Sequence, residues 1–235
     1  MRNSLRVYFR FYDIVRFFAQ TGRGYVTAKC TPAQFGRFPN IRGKTRFHIR
    51  GEAVFGNRFT VLGNPSAVRI AVAEGARLTI GDHVAMNCGV SIDVWHDVRI
   101  GSKVMIAPNV TILDDNRHEL EPGTPLYSGP TIIGDNVWLA GNVTVLPGVT
   151  IGSGSVIAGH SVVSRDIPPN SLAGGSPARV IRSLNVPEGW SHRFGYERND
   201  PAEGLWASLR RTLAGDPNAA IAAADEAGRD HEAVK

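Results

Sequence analysis

Residues 131–182 read TIIGDNVWLAGNVTVLPGVTIGSGSVIAGHSVVSRDIPPNSLAGGSPARVIR, and a period of six runs through them. An aliphatic residue recurs at Ile133, Leu139, Val145, Ile151, Ile157 and Val163. The next position is usually small, as in Gly134, Ala140, Gly152, Ala158 and Ser164. Four positions after each anchor stands a small or β-branched residue: Val137, Val143, Val149, Ser155 and Ser161. A helix repeats every 3.6 residues and a simple strand every two, so a strict six is neither. It describes a chain coiling through short strands and tight corners, with the anchors inside. Three such units close a coil of 18 residues, which stacks in parallel on the next at a spacing of about 4.8 Å. A single coil buries nothing, so stability comes from stacking several.

The frame continues upstream with two interruptions. Ile80, Met86 and Ile92 are in phase, and Ile100, Ile106 and Ile112 restart it. Ile80 to Ile100 is 20 residues, which predicts two extra residues at a corner around Val94–Val98. Ile100 to Ile133 is 33 residues, one coil of 18 plus a fifteen-residue excursion that leaves the solenoid between about Asp114 and Pro130. That excursion is polar and proline-rich, as an exposed loop should be, and loops on regular scaffolds often carry function. Further upstream the pattern weakens, with Ile49, Val54, Val61, Val68 and Ile70 still suggesting β coils.

The ends read differently. Residues 1–40 form a lead-in whose segment 5–18 carries Arg6, Arg10, Asp13 and Arg16 on one helical stripe and aromatic and aliphatic residues elsewhere. The preferred reading is a short amphipathic helix plugging the open end of the solenoid. The rival is a peripheral membrane contact through the same helix. The interrupting charges exclude a secretory signal or a spanning segment. Residues 183–235 form a C-terminal extension, of which Pro201–Lys235 is Ala-rich and charged and reads as a short helix with a mobile tail, and the solenoid domain itself occupies 41–182.

Composition narrows the function classes. The chain has 235 residues, a net charge of +5 and two cysteines, Cys30 and Cys88. Two cysteines build no disulfide framework and suit a reducing, cytoplasmic setting. Positive charge favours anionic partners such as a polyphosphorylated cofactor. No basic–aromatic cluster of a nucleic-acid module is present, so nucleic acid is not expected as a partner.

The stretch 131–182 resembles the hexapeptide acyltransferases of the maltose/galactoside O-acetyltransferase type and related polysaccharide O-acetyltransferases. The match is strong over 80–182. The resemblance implies a mainly β fold, a left-handed parallel β-helix, a homotrimer, and acetyl-CoA bound between neighbouring subunits as the acyl donor, with no metal. The family's loop histidine falls on His118, with Asp115 and Glu119 as candidate orienting groups. Trp138 matches a tryptophan near the acetyl group and acceptor. Cofactor-contacting positions fall on Trp138, Ala140, Gly141, Gly159, Ser164, Arg165, Arg179 and Arg182. Asn87 and Asp93 fall where acceptor-binding polar groups occur. The chain departs from the pattern at His160, where the family has glycine, and at Ser176, where it has asparagine.

The chemistry so implied is acetyl transfer to a hydroxyl of a sugar or glycosylated acceptor, in a direct ternary complex. A neutral sugar hydroxyl is a poor nucleophile, and a histidine of ordinary pKa, near ~6.5, can accept its proton as it attacks. Transfer to the amine of an amino sugar, or of a longer acyl chain, stays open on the sequence. A zinc hydrolyase of the γ-carbonic anhydrase type shares the repeat. It requires three converging ligands, and His83, His96 and His118 are separated by 13 and 22 residues. His83 and His96 are read as corner residues.

Overall fold

Every anchor of the six-residue frame points inward: Ile133, Leu139, Val145, Ile151, Ile157 and Val163 are at most 1% exposed. The computed structural model of the chain describes residues 22, 24, 26–119, 121–124, 128–187 and 189–191. Within it, Ala19–Arg193 forms one compact unit. The helix expected over 5–18 and the helical extension expected beyond 200 lie outside the described residues.

The strands, numbered in chain order, form a three-faced parallel solenoid. The first face stacks β1 (Gln34–Phe35), β3 (Glu52–Phe55), β5 (Arg77–Ile80), β8 (Asp97–Ile100), β11 (Thr131–Ile133) and β14 (Thr150–Ile151). β2 (Asn40–Ile49) and β4 (Thr60–Val72) bend around a corner and join the other two faces into one sheet. The second face continues through β6 (Ala85–Met86), β9 (Met105–Ile106), β12 (Trp138–Leu139), β15 (Val156–Ile157) and β17 (Ser171–Gly175). The third continues through β7 (Ser91–Val94), β10 (Thr111–Leu113), β13 (Thr144–Val145) and β16 (Val162–Val163). β18 (Ala178–Ser183) turns back antiparallel on β17.

The registers are those the spacing requires. Ile80 lies beside Ile100, Ile100 beside Ile133, and Ile133 beside Ile151, whatever the chain length between them. The extra residues all leave the solenoid at corners. Each fully buried Ile or Leu contributes about 1.5–3 kcal/mol of transfer free energy, so this register is strongly held. At the N-terminal end the interior changes to aromatic packing. Phe35 stacks on Phe55 at 4.4 Å, and Phe55 meets Phe59 at 4.7 Å. The inward pair in β3 is Ala53 and Phe55, so the aliphatic Val54 between them faces outward. Two serines of the repeat, Ser155 and Ser161, are fully buried. Ser155 Oγ donates to Pro168 O at 2.9 Å and Ser161 Oγ to Ala158 O at 2.7 Å, which satisfies both hydroxyls as the last coil closes.

The corner after the first face is a polar ladder. Asn57 N–H donates to Asp82 Oδ1 at 2.6 Å, Ser102 N–H to Asp135 Oδ1 at 2.6 Å, and Asp135 N–H to Ser153 Oγ at 3.0 Å. Each rung follows a glycine, because the corners stack too closely for a side chain: a Cβ on Gly134 would lie 2.5 Å from Ser153 Oγ. The backbone N–H of Asn57, and then its side-chain amide, hold the Asp82 carboxyl below its ordinary value. A depressed folded pKa gives stability that is present above the unfolded value, near 3.8, and is lost as pH falls through the folded value. Asp82→Asn should therefore flatten the acid side of a melting-temperature profile, and an unchanged profile below pH ~4 would show that the ladder carries no such linkage.

No helix among the described residues is long and apolar enough to cross a membrane.

Candidate active site

Three successive turns of the corner between the third and first faces carry insertions: residues 73–76, Trp95–His96, and the loop 114–130. The loop is rooted by Asp114, whose side chain is fully buried. Its carboxylate accepts three backbone N–H groups of the turn below, from Trp95, His96 and Asp97, each at 2.8 Å. The returning strand closes the root. Asp115 bridges Ser128, Gly129 N–H donates to Asp114 O at 3.0 Å, and Thr131 Oγ1 to Leu113 O at 2.7 Å.

Asp115 is also nearly buried, and its two oxygens are both engaged. Oδ1 accepts the Arg117 N–H at 2.5 Å, and Oδ2 lies 2.8 Å from His96 Nε2. The Arg117 guanidinium sits over the Trp95 ring at 3.7 Å, a cation–π contact that fixes the next step of the loop. His118 and Glu119 follow on the exposed side. Glu119 Oε2 accepts the Gly123 N–H at 3.0 Å, so Glu119 shapes its own turn. The carboxylate nearest His118 in sequence and the one three residues before it thus both have partners within the loop. Spacing in the sequence singles out none of Asp114, Trp95 and Arg117, and His96 is the corner residue that it was expected to be. The 20-residue interval had marked their corner, but spacing alone does not say which side chains meet there.

The remaining candidates lie elsewhere. Asp93 faces outward on the third face and pairs with Arg69, with Ser91 Oγ 3.4 Å away. Asn87 opens the corner between the second and third faces, its Oδ1 accepting the Cys88 N–H at 2.8 Å. Trp138 stands outward on β12, 41% exposed, and leads into the same corner at Ala140 and Gly141, with Gly159 one coil further on. His160 occupies a left-handed corner position, φ 59°, as do Asn109 and Asn142 before it. Asn109 Nδ2 donates to Asn142 Oδ1 at 3.2 Å, and Asn142 Nδ2 lies 3.4 Å from His160 Nε2, so His160 prolongs an asparagine ladder.

Gly141 and Gly159 differ from the ladder glycines. Neither has a positive φ. A Cβ on Gly141 would meet nothing closer than Pro108 O at 3.7 Å, and one on Gly159 nothing closer than Gly141 O at 3.2 Å. Folding of the chain does not demand glycine at 141, so the open space lies outside the solenoid. Ser164 and Arg165 follow β16 toward the first face, with Arg165 exposed; Arg179 and Arg182 are exposed on β18. The chain therefore brings His118, Asp115 and Glu119 together on one corner. It keeps them a full face away from Trp138, Ala140, Gly141 and Gly159.

Comparison with known proteins agrees with this architecture. Residues 130–165 match the family model "Bacterial transferase hexapeptide (six repeats)". The chain is 40% identical over 160 residues to galactoside O-acetyltransferase of Escherichia coli K12, covering 62% of this chain and 79% of that protein. It is 34% identical over 147 residues to the putative lipopolysaccharide biosynthesis O-acetyl transferase WbbJ of the same organism, covering 57% of this chain and 74% of the relative. The crystal structure of the hexapeptide-repeat containing acetyltransferase VCA0836 of Vibrio cholerae superposes with a TM-score of 0.50 at 26% identity, over 74% of this chain and 93% of that one. With its six-residue solenoid, its histidine loop and relatives matched over most of their length, the chain belongs to the hexapeptide-repeat O-acetyltransferase family.

Proposed function

We propose that this protein transfers the acetyl group of acetyl-CoA to a hydroxyl of a sugar or glycosylated acceptor, with His118 as general base. The carrying observation is the rigidly rooted loop that presents His118, on a chain 40% identical to a galactoside O-acetyltransferase. In the reaction His118 accepts the hydroxyl proton while the oxygen attacks the thioester carbonyl. The tetrahedral intermediate collapses by breaking the C–S bond, and the coenzyme thiolate takes up the proton that His118 releases.

The corner at Ala140–Gly141 supplies the oxyanion donor. Trp138 and Ala140 N–H groups are bonded to Ser155 O and Ile157 O, each at 3.0 Å, and Asn142 N–H to Pro108 O at 2.9 Å, whereas the Gly141 N–H has no partner among the described residues. A preorganised N–H aimed at the developing charge is worth ~10²–10³ in turnover. The space outside Gly141 and Gly159 admits the pantetheine arm close to the backbone. Arg165, Arg179 and Arg182, with Ser164 beside the first, provide the phosphate-binding surface, since guanidinium is suited to phosphate.

This arrangement works between copies. One chain holds the histidine loop and the Gly141–Gly159 corner at opposite edges of its third face, and a homotrimer sets the loop of one subunit against the corner of the next. Closed cyclic symmetry then makes three equal sites from one contact. Asn87, on the corner side of this contact, and Asp93, on the third face between corner and loop, face the acceptor.

The donor half is tested by single alanine changes at Arg165 and Arg179. The KM for acetyl-CoA should rise about tenfold with turnover little changed, and less so at high salt. An unchanged KM in both variants would make these arginines ordinary surface charges.

A further inference from the structure

The charge of the chain is unevenly placed. Residues 29–69 carry eight lysines and arginines and a single carboxylate, Glu52, whereas residues 70–182 carry seven such cations and ten carboxylates. The positive charge of the solenoid therefore belongs to its first two coils. The first coil runs from β1 through β2 to residue 51, and an exposed cation stands at each of its three corners: Arg37, Lys44 and Arg50. Arg46 is exposed on the face between the last two, with Arg69 as its strand partner on the second coil. Arg69 pairs with Asp93, and Glu52 is taken by Arg77. Among the described residues, Arg37, Lys44, Arg46 and Arg50 form no ion pair.

Apolar side chains are exposed at the same end. Phe38 stands beside Arg37 at the first corner, 51% exposed and in a left-handed conformation, φ 59°. A bulky residue is rare in that conformation, and the corner does not require one: its later turns place Arg58, His83 and Lys103 there. Val26 is 60% exposed on the lead-in segment, which is seated on this end at Gly24, where a Cβ would lie 2.4 Å from Pro39 O. Protection of the β2 edge asks only for charge, so a rim of one sign around exposed apolar tips exceeds it. Cations and apolar tips at one level of the solenoid fit the interface of an anionic lipid layer. Nucleic acid would call for a basic groove with aromatic stacking platforms. The other phenylalanines of these coils, Phe35, Phe47, Phe55 and Phe59, pack into the solenoid instead.

We infer that the N-terminal end of the solenoid docks on an anionic lipid surface, with Arg37, Lys44 and Arg50 against headgroup phosphates and Phe38 entering the interface. This surface belongs to the folded coils and not to residues 5–18, and it stands independently of the transferase reading. In the threefold assembly proposed above, the same ends of all three subunits face one way, so one membrane meets three copies of the patch.

Full-length protein is sedimented with vesicles of equimolar phosphatidylglycerol and phosphatidylcholine, and with vesicles of phosphatidylcholine alone. The wild type should bind the mixed vesicles, less so at high salt, and leave the neutral ones in suspension. Each cation near such a surface is worth roughly fivefold in binding. The triple variant Arg37→Gln, Lys44→Gln, Arg50→Gln should therefore bind about a hundredfold more weakly. Phe38→Asn, which suits the left-handed conformation, should bind about fivefold more weakly through loss of the apolar tip. Lys103→Gln removes a charge from the same corner three coils away, roughly 14 Å at the coil spacing and beyond the Debye length, so its binding should stay within about twofold of wild type. Unchanged melting curves show that all three variants fold. Wild type that ignores the mixed vesicles or binds the neutral ones equally would overturn the proposal. So would a triple variant or a Phe38→Asn variant that binds like wild type, or a Lys103→Gln loss as large as that of the triple variant. Tighter binding to a duplex DNA oligonucleotide than to the mixed vesicles would assign the patch to nucleic acid and overturn it as well.

Discussion

His118→Ala should lower turnover by about 10²-fold or more, with the fold and the coenzyme A affinity intact. The side chain is exposed on the loop and takes no part in its root, which is held by Asp114, Asp115 and Thr131. Its removal therefore costs chemistry rather than structure. A base of this kind needs an orienter on its second nitrogen. Asp115 accepts the Arg117 N–H and lies against His96, and Glu119 accepts the Gly123 N–H, so beside these two carboxylates a backbone carbonyl is the orienter we propose for His118. Steady-state thiol release at saturating acetyl-CoA gives the answer. Turnover within a few-fold of wild type would remove His118 from the mechanism and turn attention to His96, the other histidine on this corner.

The second large effect is expected at Asp114. Asp114→Ala takes the shared acceptor from three backbone N–H groups at once. Leaving such groups unmet costs about 1–3 kcal/mol each when they are buried, and the partial exposure of this turn brings the total to roughly 3 kcal/mol. For a chain of this size that corresponds to a drop of about 6–12 °C in melting temperature. Turnover should fall as well, since both the loop carrying His118 and the turn carrying His96 are positioned by this one carboxylate. Asp114→Asn should lie between, because an amide keeps one acceptor oxygen and turns its NH2 toward backbone donors. A melting temperature within about 2 °C of wild type for Asp114→Ala would show that the corner is held by other means.

Much of this architecture is legible in the residues. The six-residue frame from Ile133 to Val163 dictates which side chains are inside. The intervals of 20 and 33 residues after Ile80 and Ile100 place the insertions at corners, where the structure has them. The frame is readable because burial repeats identically in every coil. Outward-facing chemistry has no such period. The doublet Asp114–Asp115 looks uniform in the sequence, yet the first carboxylate is a structural clamp and the second a partner of His96. Adjacent residues of a β segment point to opposite sides, and the bend at Asp114 after β10 turns its carboxylate onto the turn below. The make-up of this corner is hidden for a related reason: Gly51, Gly75 and His96 lie on three successive coils, and residues so far apart in sequence become neighbours only through stacking. The degenerate N-terminal coils show the limit of pattern reading: Val54 fits the aliphatic class, but Phe55 is the residue that fills the core.

The central claim is acetyl transfer from acetyl-CoA to a sugar hydroxyl, and the most direct measurement follows both halves of it in one reaction. Purified protein is incubated with acetyl-CoA and a panel of neutral glycosides, with thiol release read continuously and the sugar product identified by mass spectrometry and NMR. The account predicts thiol release that depends on the sugar, with one acetyl ester formed on a hydroxyl for each thiol released. Thiol release that is indifferent to every sugar, or that yields free acetate alone, would contradict it.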